Sequence, residues 1–242
     1  MSIAPIPSIA LVWEAATEIY GRRGALLQAV ILPILGLSSI ALFTNLHVTS
    51  APGVIFSFLA GTPFYVIFAT ACHRLILLGD NSLPNRWGLF WSDRETRFFG
   101  WLIVIGLLYF ALSLSTLMIF AVIPTSVFSW SILWLPTYVG YFVAAYFEGR
   151  FSLVLPATAI GKRIYLRGSW ALSYGNGLLI AIALLIPALL LDLVEYFVFS
   201  FMIDAGSPFI DFLWGLVIFP FFAVEVAIIT VAYRKLAMRD DI

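Results

Sequence analysis

The sequence is poor in charge, because Asp, Glu, Lys and Arg make up 11% of its residues while 62% are hydrophobic. Soluble domains average about 25% charged and 45–50% apolar residues. Too few polar side chains are therefore present to cover a surface that faces water. The apolar residues also occur in long runs, which a soluble core does not require. The composition excludes an ordinary soluble domain and predicts an integral membrane protein.

Residues that commonly serve catalysis and metal binding are also scarce. Cys72 is the only cysteine, which excludes an internal disulfide, and His47 and His73 are too few for a multi-histidine metal site. The patterns H-E-x-x-H, G-x-S-x-G, G-x-x-x-x-G-K-[ST] and paired C-x-x-C are absent. We therefore expect no enzymatic activity, no metal, no cofactor and no nucleic-acid partner. His73, beside Arg74 at the end of an apolar run, is expected at the membrane interface.

Six apolar runs are long enough to cross a membrane, since a helix of about 20 residues spans about 30 Å of hydrocarbon. Backbone groups in lipid must be bonded internally, and runs without strict alternation exclude a barrel. The predicted fold is all-α, with 1–242 forming a single transmembrane domain. The predicted spans of this polytopic helix bundle are 24–43, 54–78, 98–123, 127–147, 177–201 and 209–233.

The positive charges fall on one side of this topology. Of the 13 Lys and Arg residues, Arg74 lies near the inner end of the second span, and the others precede the first span, follow the sixth, or lie in the connections after the second and fourth spans. The three opposite connections contain no cation. Because positive residues favour the cytoplasmic side, both termini are predicted to be cytoplasmic.

An amphipathic helix is predicted before the first span, at residues 8–20. Ile9, Val12, Ala16 and Ile19 recur there at helical spacing. A helix with such an apolar face can lie flat on the membrane surface. We therefore expect this helix to rest on the cytoplasmic interface.

The stretch "WSDRETRFFGW" predicts where the third membrane helix begins. Ser92 is followed three residues later by Glu95, which is the pattern of a capping box. The helix should therefore start at Asp93, with its acidic first turn suited to the helix dipole.

A second interfacial segment is predicted at 150–172. Its apolar part, "RFSLVLPATAI", is too short to span and contains a proline. Arg150 begins it, and Lys162, Arg163 and Arg167 follow it, which favours apolar side chains towards lipid and cations towards water. These four cations are candidate contacts for anionic phospholipid headgroups, and plain anchoring is the alternative.

A charged carboxylate within hydrocarbon costs free energy, so an acidic residue in an apolar run commonly has a structural or functional role. Glu225 lies in the sixth span about 12 Å from its inner end, near the midplane. Asp192 and Glu195 share one face of the fifth span near its outer end. Three interpretations stay open: a path for protons or small cations, a structural role with Glu225 neutral and hydrogen-bonded, or a partner protein's cation against Glu225.

One segment carries a family resemblance. The residues "RFSLVLPATAIGKR" followed by "GSWALSYGNG" resemble a segment of poorly characterised bacterial multi-pass inner-membrane proteins. They are similar to the membrane domains fused to some glycerophosphoryl diester phosphodiesterases. The resemblance implies a six-helix protein of the bacterial inner (plasma) membrane without established catalytic residues. It covers 150–177 and does not carry over the phosphodiesterase activity.

These patterns predict a non-enzymatic inner-membrane protein that acts as an accessory, structural or assembly component. Its expected partners are anionic phospholipid and a membrane protein or a second copy of the chain. The alternative is a small proton- or cation-coupled transporter that uses the intramembrane carboxylates. A lipid enzyme is the least favoured class, since no pair of nucleophile and base is present.

Overall fold

The computed structural model describes residues 5–47, 51–83, 90–121, 135–202 and 208–237, and these residues fold as α-helices with one short 3₁₀ turn. An amphipathic helix, four long helices, two short helices and two further long helices follow one another along the described part of the chain. They are α1 (Ser8–Gly21), α2 (Arg23–His47), α3 (Ala51–Leu78), α4 (Asp93–Ala121), α5 (Leu135–Phe151), α6 (Val154–Ala159), α7 (Leu166–Leu172), α8 (Gly177–Met202) and α9 (Pro208–Ala237).

Five of the helices are long and apolar enough to cross a membrane, in agreement with a multi-pass membrane protein. The segments that meet both conditions are Arg23–Ile40, Leu59–Leu78, Asp93–Ser115, Gly177–Val198 and Leu216–Ala237. The remaining predicted span, 127–147, lies partly outside the described residues. A total of six spans and the cytoplasmic placement of both termini therefore stay predictions.

The start of α4 follows from local sequence, and it lies at the predicted residue. The amide and hydroxyl of Ser92 both donate to the Glu95 carboxylate, at 2.9 and 2.5 Å. The Ser92 hydroxyl accepts from the amide of Arg94 at 3.3 Å, rather than from the amide of Glu95. The carboxylate half of the capping box is thus formed as predicted, and α4 begins at Asp93.

The core consists of two adjoining clusters that share α9. One joins α9 to α2, α3, α4 and α6, and the other joins it to α1, α3, α6 and α8. Aromatic and large aliphatic side chains fill both, with Phe68, Phe98 and Tyr233 almost completely buried. Helix α9 therefore fixes the position of the elements around it.

Helix α6 departs from the predicted interfacial placement. All six of its residues are buried, and it packs against α3, α4 and α9 rather than lying on lipid. Its small residues, such as Ala157 and Ala159, permit this close approach. An apolar segment is removed from water equally well by lipid and by protein, so its composition does not distinguish the two. Helix α7, in contrast, lies at the surface with Ser169 as its buried residue.

Helix α1 forms where predicted, but its buried face differs from the predicted one. Ser8, Leu11 and Ala15 are buried against α8 and α9, while Ile9 is 77% exposed. Trp13 is also largely exposed. The helix has apolar residues on two sides, and contact with α8 and α9 selects which side is covered.

Candidate functional site

Arg150, near the end of α5, is held inside the protein. Its guanidinium donates to the Tyr146 hydroxyl at 3.0 Å, to the Trp170 carbonyl at 2.8 Å and to the Ser173 hydroxyl at 3.1 Å. It also stacks on the Trp170 ring, 3.5 Å from the centroid. We call Arg150 with these three partners the arginine clasp. Arg150 is 7% exposed, which sets it apart from the other three predicted headgroup contacts.

Other residues of the segment 168–177 strengthen this attachment. The Ser169 hydroxyl contacts the carbonyls of Arg150 and Phe151, at 2.7 and 3.0 Å. The Asn176 side-chain oxygen accepts from the amide of Ile6 at 2.8 Å. A Cβ on Gly177 would lie 2.7 Å from Cγ of Arg150, so the arginine covers the start of α8. The segment fastens α5, α7, α8 and the chain before α1 to one another.

A glycine turn after α6 places the next two cations. Gly161 has φ of +83°, and its amide donates to the Thr158 carbonyl at 2.9 Å. The Lys162 amide donates to the Ala157 carbonyl at 2.8 Å, which completes a Schellman motif. The chain reverses at this point, so Lys162 and Arg163 lie beside the first turns of α4.

A pocket of about 510 Å³ lies between this turn and α4. Three exposed cations share it with two aromatic rings and a glycine. The residues that define this interfacial pocket are Arg97, Gly100, Trp101, Lys162, Arg163 and Tyr165. Lys162 and Arg163 were predicted as headgroup contacts, and Arg97 lies beside them in the pocket. Arg167, the remaining predicted contact, is exposed on α7 outside the pocket.

A second cavity, of about 320 Å³, lies among the membrane helices. Glu148 of α5 and Glu225 of α9 line it together with Tyr65 and Tyr109, and apolar residues complete its wall. We call it the membrane cavity. In the described part of the chain, neither carboxylate has an ion pair with a Lys or Arg within 4.0 Å.

The membrane cavity brings together a different set of acids from the predicted one. Glu225 lines it, but Asp192 and Glu195 are exposed on α8 and are absent from its lining. Glu148 was missed, because it stands two residues before Arg150 at the end of a predicted span. The signal that could have identified Glu148 is the presence of a carboxylate in the last turn of an apolar run.

His73 lies in the core instead of at the interface expected for it. It is 1% exposed, packs against the Phe98 ring and lies with Nδ1 2.6 Å from the Thr230 hydroxyl. The Thr230 hydroxyl donates its single proton to the Val226 carbonyl at 2.5 Å. With the Thr230 proton assigned to that bond, Nδ1 of His73 is the donor and the Thr230 hydroxyl the acceptor. The histidine links α3 to α9.

Ion pairs attach α1 to the end of α9. Glu14 contacts Arg234 and Lys235 at 2.9 and 2.7 Å, and Glu18 contacts Arg234 and Arg22 at 2.7 and 3.2 Å. Partial burial by itself would raise the pKa of both carboxyls. The hydrogen bonds and charges of the three cations outweigh it, and the pKa of Glu14 and of Glu18 is lowered.

Contacts between helix ends place the basic residues at one end of the bundle. Arg22 pairs with Asp80 at 3.0 Å, which joins the start of α2 to the end of α3. The ion pairs of Glu14 join α1 to the end of α9, and the arginine clasp joins the end of α5 to α7. Arg86 and Arg239 lie outside the described residues.

Comparison with protein-family models, with curated proteins and with solved structures finds no match for this chain. Among the described residues, no three His, Cys, Asp or Glu side chains are grouped so that they could hold a metal ion. The interfacial pocket and the membrane cavity are the two candidate functional sites.

Proposed function

We propose that the protein is a non-enzymatic component of the bacterial inner membrane whose basic end binds anionic phospholipid and faces the cytoplasm. The observation that carries this proposal is the group of exposed cations at that end: Arg97, Lys162, Arg163 and Arg167. Each Lys or Arg near an anionic membrane surface contributes about 1 kcal/mol of attraction. Apolar helices directly below these cations hold them at headgroup depth.

An accessory or assembly role fits the architecture of the described residues. The described residues consist of helices and short connections. The segment 168–177 holds α5, α7 and α8 to one another. We therefore propose that the protein acts through lipid and through a membrane partner, which is another protein or a second copy of the chain. The proposed class is the one that the expected resemblance of 150–177 to bacterial inner-membrane proteins implies.

The experiment is a mild-detergent purification followed by mass spectrometry of the bound lipids and proteins. We expect anionic phospholipid to be enriched over its share of the membrane, and a protein companion or a second copy to be retained. The proposal would be contradicted if the bound lipids had the composition of the bulk membrane and the protein always purified without a companion or a second copy.

The membrane cavity favours a second candidate function, which is movement of protons or small cations. Two carboxylates share this cavity, and a proton or a cation would remove the cost of their charge within hydrocarbon. Two phenol groups, those of Tyr65 and Tyr109, add oxygen atoms to the same space. This arrangement supports a site on a path across the membrane.

This candidate is tested in vesicles that contain the purified protein and a pH-sensitive dye. We expect the variants Glu148→Gln and Glu225→Gln to abolish proton or cation flux. The matched control Glu195→Gln, which changes an exposed carboxylate outside the cavity, should keep the parent's flux. Equal flux in all three variants, or no flux in the parent, would refute the candidate.

A further inference from the structure

The interfacial pocket is open at the level where α4 begins its apolar span. Arg97, Gly100 and Trp101 belong to the first three turns of α4, which forms a candidate span from Asp93 onwards. The opposite wall is the turn after α6, which Gly161 fixes. The rigid Schellman turn and the capped start of α4 therefore form the pocket without a partner.

Positive charge is concentrated in the pocket. Arg97, Lys162 and Arg163 line it, and no carboxylate is among its lining residues. None of the three forms an ion pair with a carboxylate in the described part of the chain. Arg97 donates from Nε to the Asp93 carbonyl at 3.1 Å, which leaves its two terminal nitrogens for a ligand. A phosphate group, with its charge and several acceptor oxygens, matches these donors.

The pocket also has an apolar side that continues down α4. Trp101 and Val104 line it, and the Trp101 and Tyr165 rings meet edge to face at 6.4 Å. One and two turns below, Leu107 and Phe110 are 63% and 64% exposed. A ligand that carries both a phosphate and a hydrocarbon chain would contact the cations and this face at the same time.

We propose that the interfacial pocket binds the phosphate of one anionic phospholipid, with an acyl chain along the exposed face of α4. The proposal rests on the proposed function and assigns its lipid contact to a defined site. Gly100 keeps the site open, since no atom lies within 4 Å of the place its Cβ would occupy. The volume of about 510 Å³ is within the usual range of ligand pockets.

The test measures retention of phosphatidylglycerol by native mass spectrometry of the protein released from nanodiscs. We expect one molecule to stay bound at low lipid concentration. Arg97→Gln, Lys162→Gln and Arg163→Gln should each weaken retention about fivefold. Gly100→Leu should also displace the lipid. The comparison variant Arg167→Gln removes an exposed cation outside the pocket and should weaken retention less than any of the three pocket variants. Thermal unfolding in detergent identifies any variant that is misfolded.

The outcomes distinguish failure of the pocket assignment from failure of the proposed function. Equal loss of retention in Arg167→Gln and in the pocket variants would overturn the pocket and leave general anionic-lipid contact in place. A parent protein that retains phosphatidylcholine as well as phosphatidylglycerol would overturn the proposed function itself. Displacement of the lipid by millimolar glycerol 3-phosphate or inorganic phosphate would assign the site to a soluble phosphate compound and overturn the lipid assignment.

Discussion

Replacement of Arg150 by methionine should destabilise the protein strongly, although sequence analysis places this residue among the headgroup contacts. Methionine keeps an apolar stem of similar length but removes every N–H. The Tyr146 hydroxyl, the Trp170 carbonyl and the Ser173 hydroxyl each lose a donor at 2.8–3.1 Å. A hydrogen bond from a charged donor contributes about 1.5–3 kcal/mol, and a desolvated cation over an indole ring contributes about 2 kcal/mol.

These contributions are not additive, because Ser173 also donates to the Trp170 carbonyl at 3.1 Å and retains that bond. We expect Arg150→Met to lower the free energy of unfolding by about 3–5 kcal/mol. Arg150→Lys keeps the charge but loses the planar fork and most of the ring stacking. It should cost about half as much as the methionine variant.

The assay is unfolding in mixed micelles of dodecyl maltoside and SDS, followed by tryptophan fluorescence. Trp170, within the arginine clasp, should contribute to the signal. The control is Arg167→Met, which changes an exposed arginine of α7 and should shift the free energy of unfolding by less than about 0.5 kcal/mol. If Arg150→Met and Arg167→Met unfold at the same SDS fraction, the clasp does not stabilise the fold and this reasoning is refuted.

Three further predictions concern the contacts around the arginine clasp and α9. Gly177→Ala should lower the free energy of unfolding by about 1–3 kcal/mol, because the added Cβ would lie 2.7 Å from Cγ of Arg150. Unfolding in SDS measures this change, and an unchanged midpoint would contradict the prediction. Because the pKa of Glu14 and Glu18 is lowered, attachment of α1 should persist at neutral pH and weaken as pH falls through their folded-state pKa. Hydrogen-exchange protection of α1 tests this, and the double variant Glu14→Gln with Glu18→Gln should lose that pH dependence. Thr230→Val removes the hydrogen-bond partner of His73 and should lower the free energy of unfolding by about 1–3 kcal/mol. The decrease should be larger than for Thr70→Val, because the Thr70 hydroxyl bonds only carbonyls of its own helix.

Features governed by neighbouring residues were predictable from the sequence. The pair Ser92 and Glu95 sets the start of α4 through contacts three residues apart, and α4 begins where this pair indicates. The predicted second span ends at Leu78 and the fifth starts at Gly177, as α3 and α8 do. Apolar runs that end at charged or glycine-rich stretches carry this information locally.

Burial against protein rather than lipid was not predictable, because both environments accept the same side chains. Helix α6 has the composition of an interfacial segment, yet it is buried among three helices. The same ambiguity concealed which face of α1 is covered. Arg150 was expected at headgroup level because it adjoins an apolar run, but Trp170 and Ser173, two of its three partners, stand about 20 positions later in the chain. Only the tertiary fold brings them together.

In the described part of the chain Glu148 has no cationic partner within 4.0 Å, and this follows from helix geometry at the end of α5. Glu148 and Arg150 are two residues apart, and successive residues of an α-helix are rotated by about 100°, so their side chains point to opposite sides of the helix. The carboxylate therefore faces the cavity, while the guanidinium is held by Trp170 and Ser173 on the far side. The cation closest in sequence is thus unable to pair with Glu148. Because the clasp also fixes the rotation of α5 against α7, the same contacts that stabilise the fold keep Glu148 turned towards the cavity.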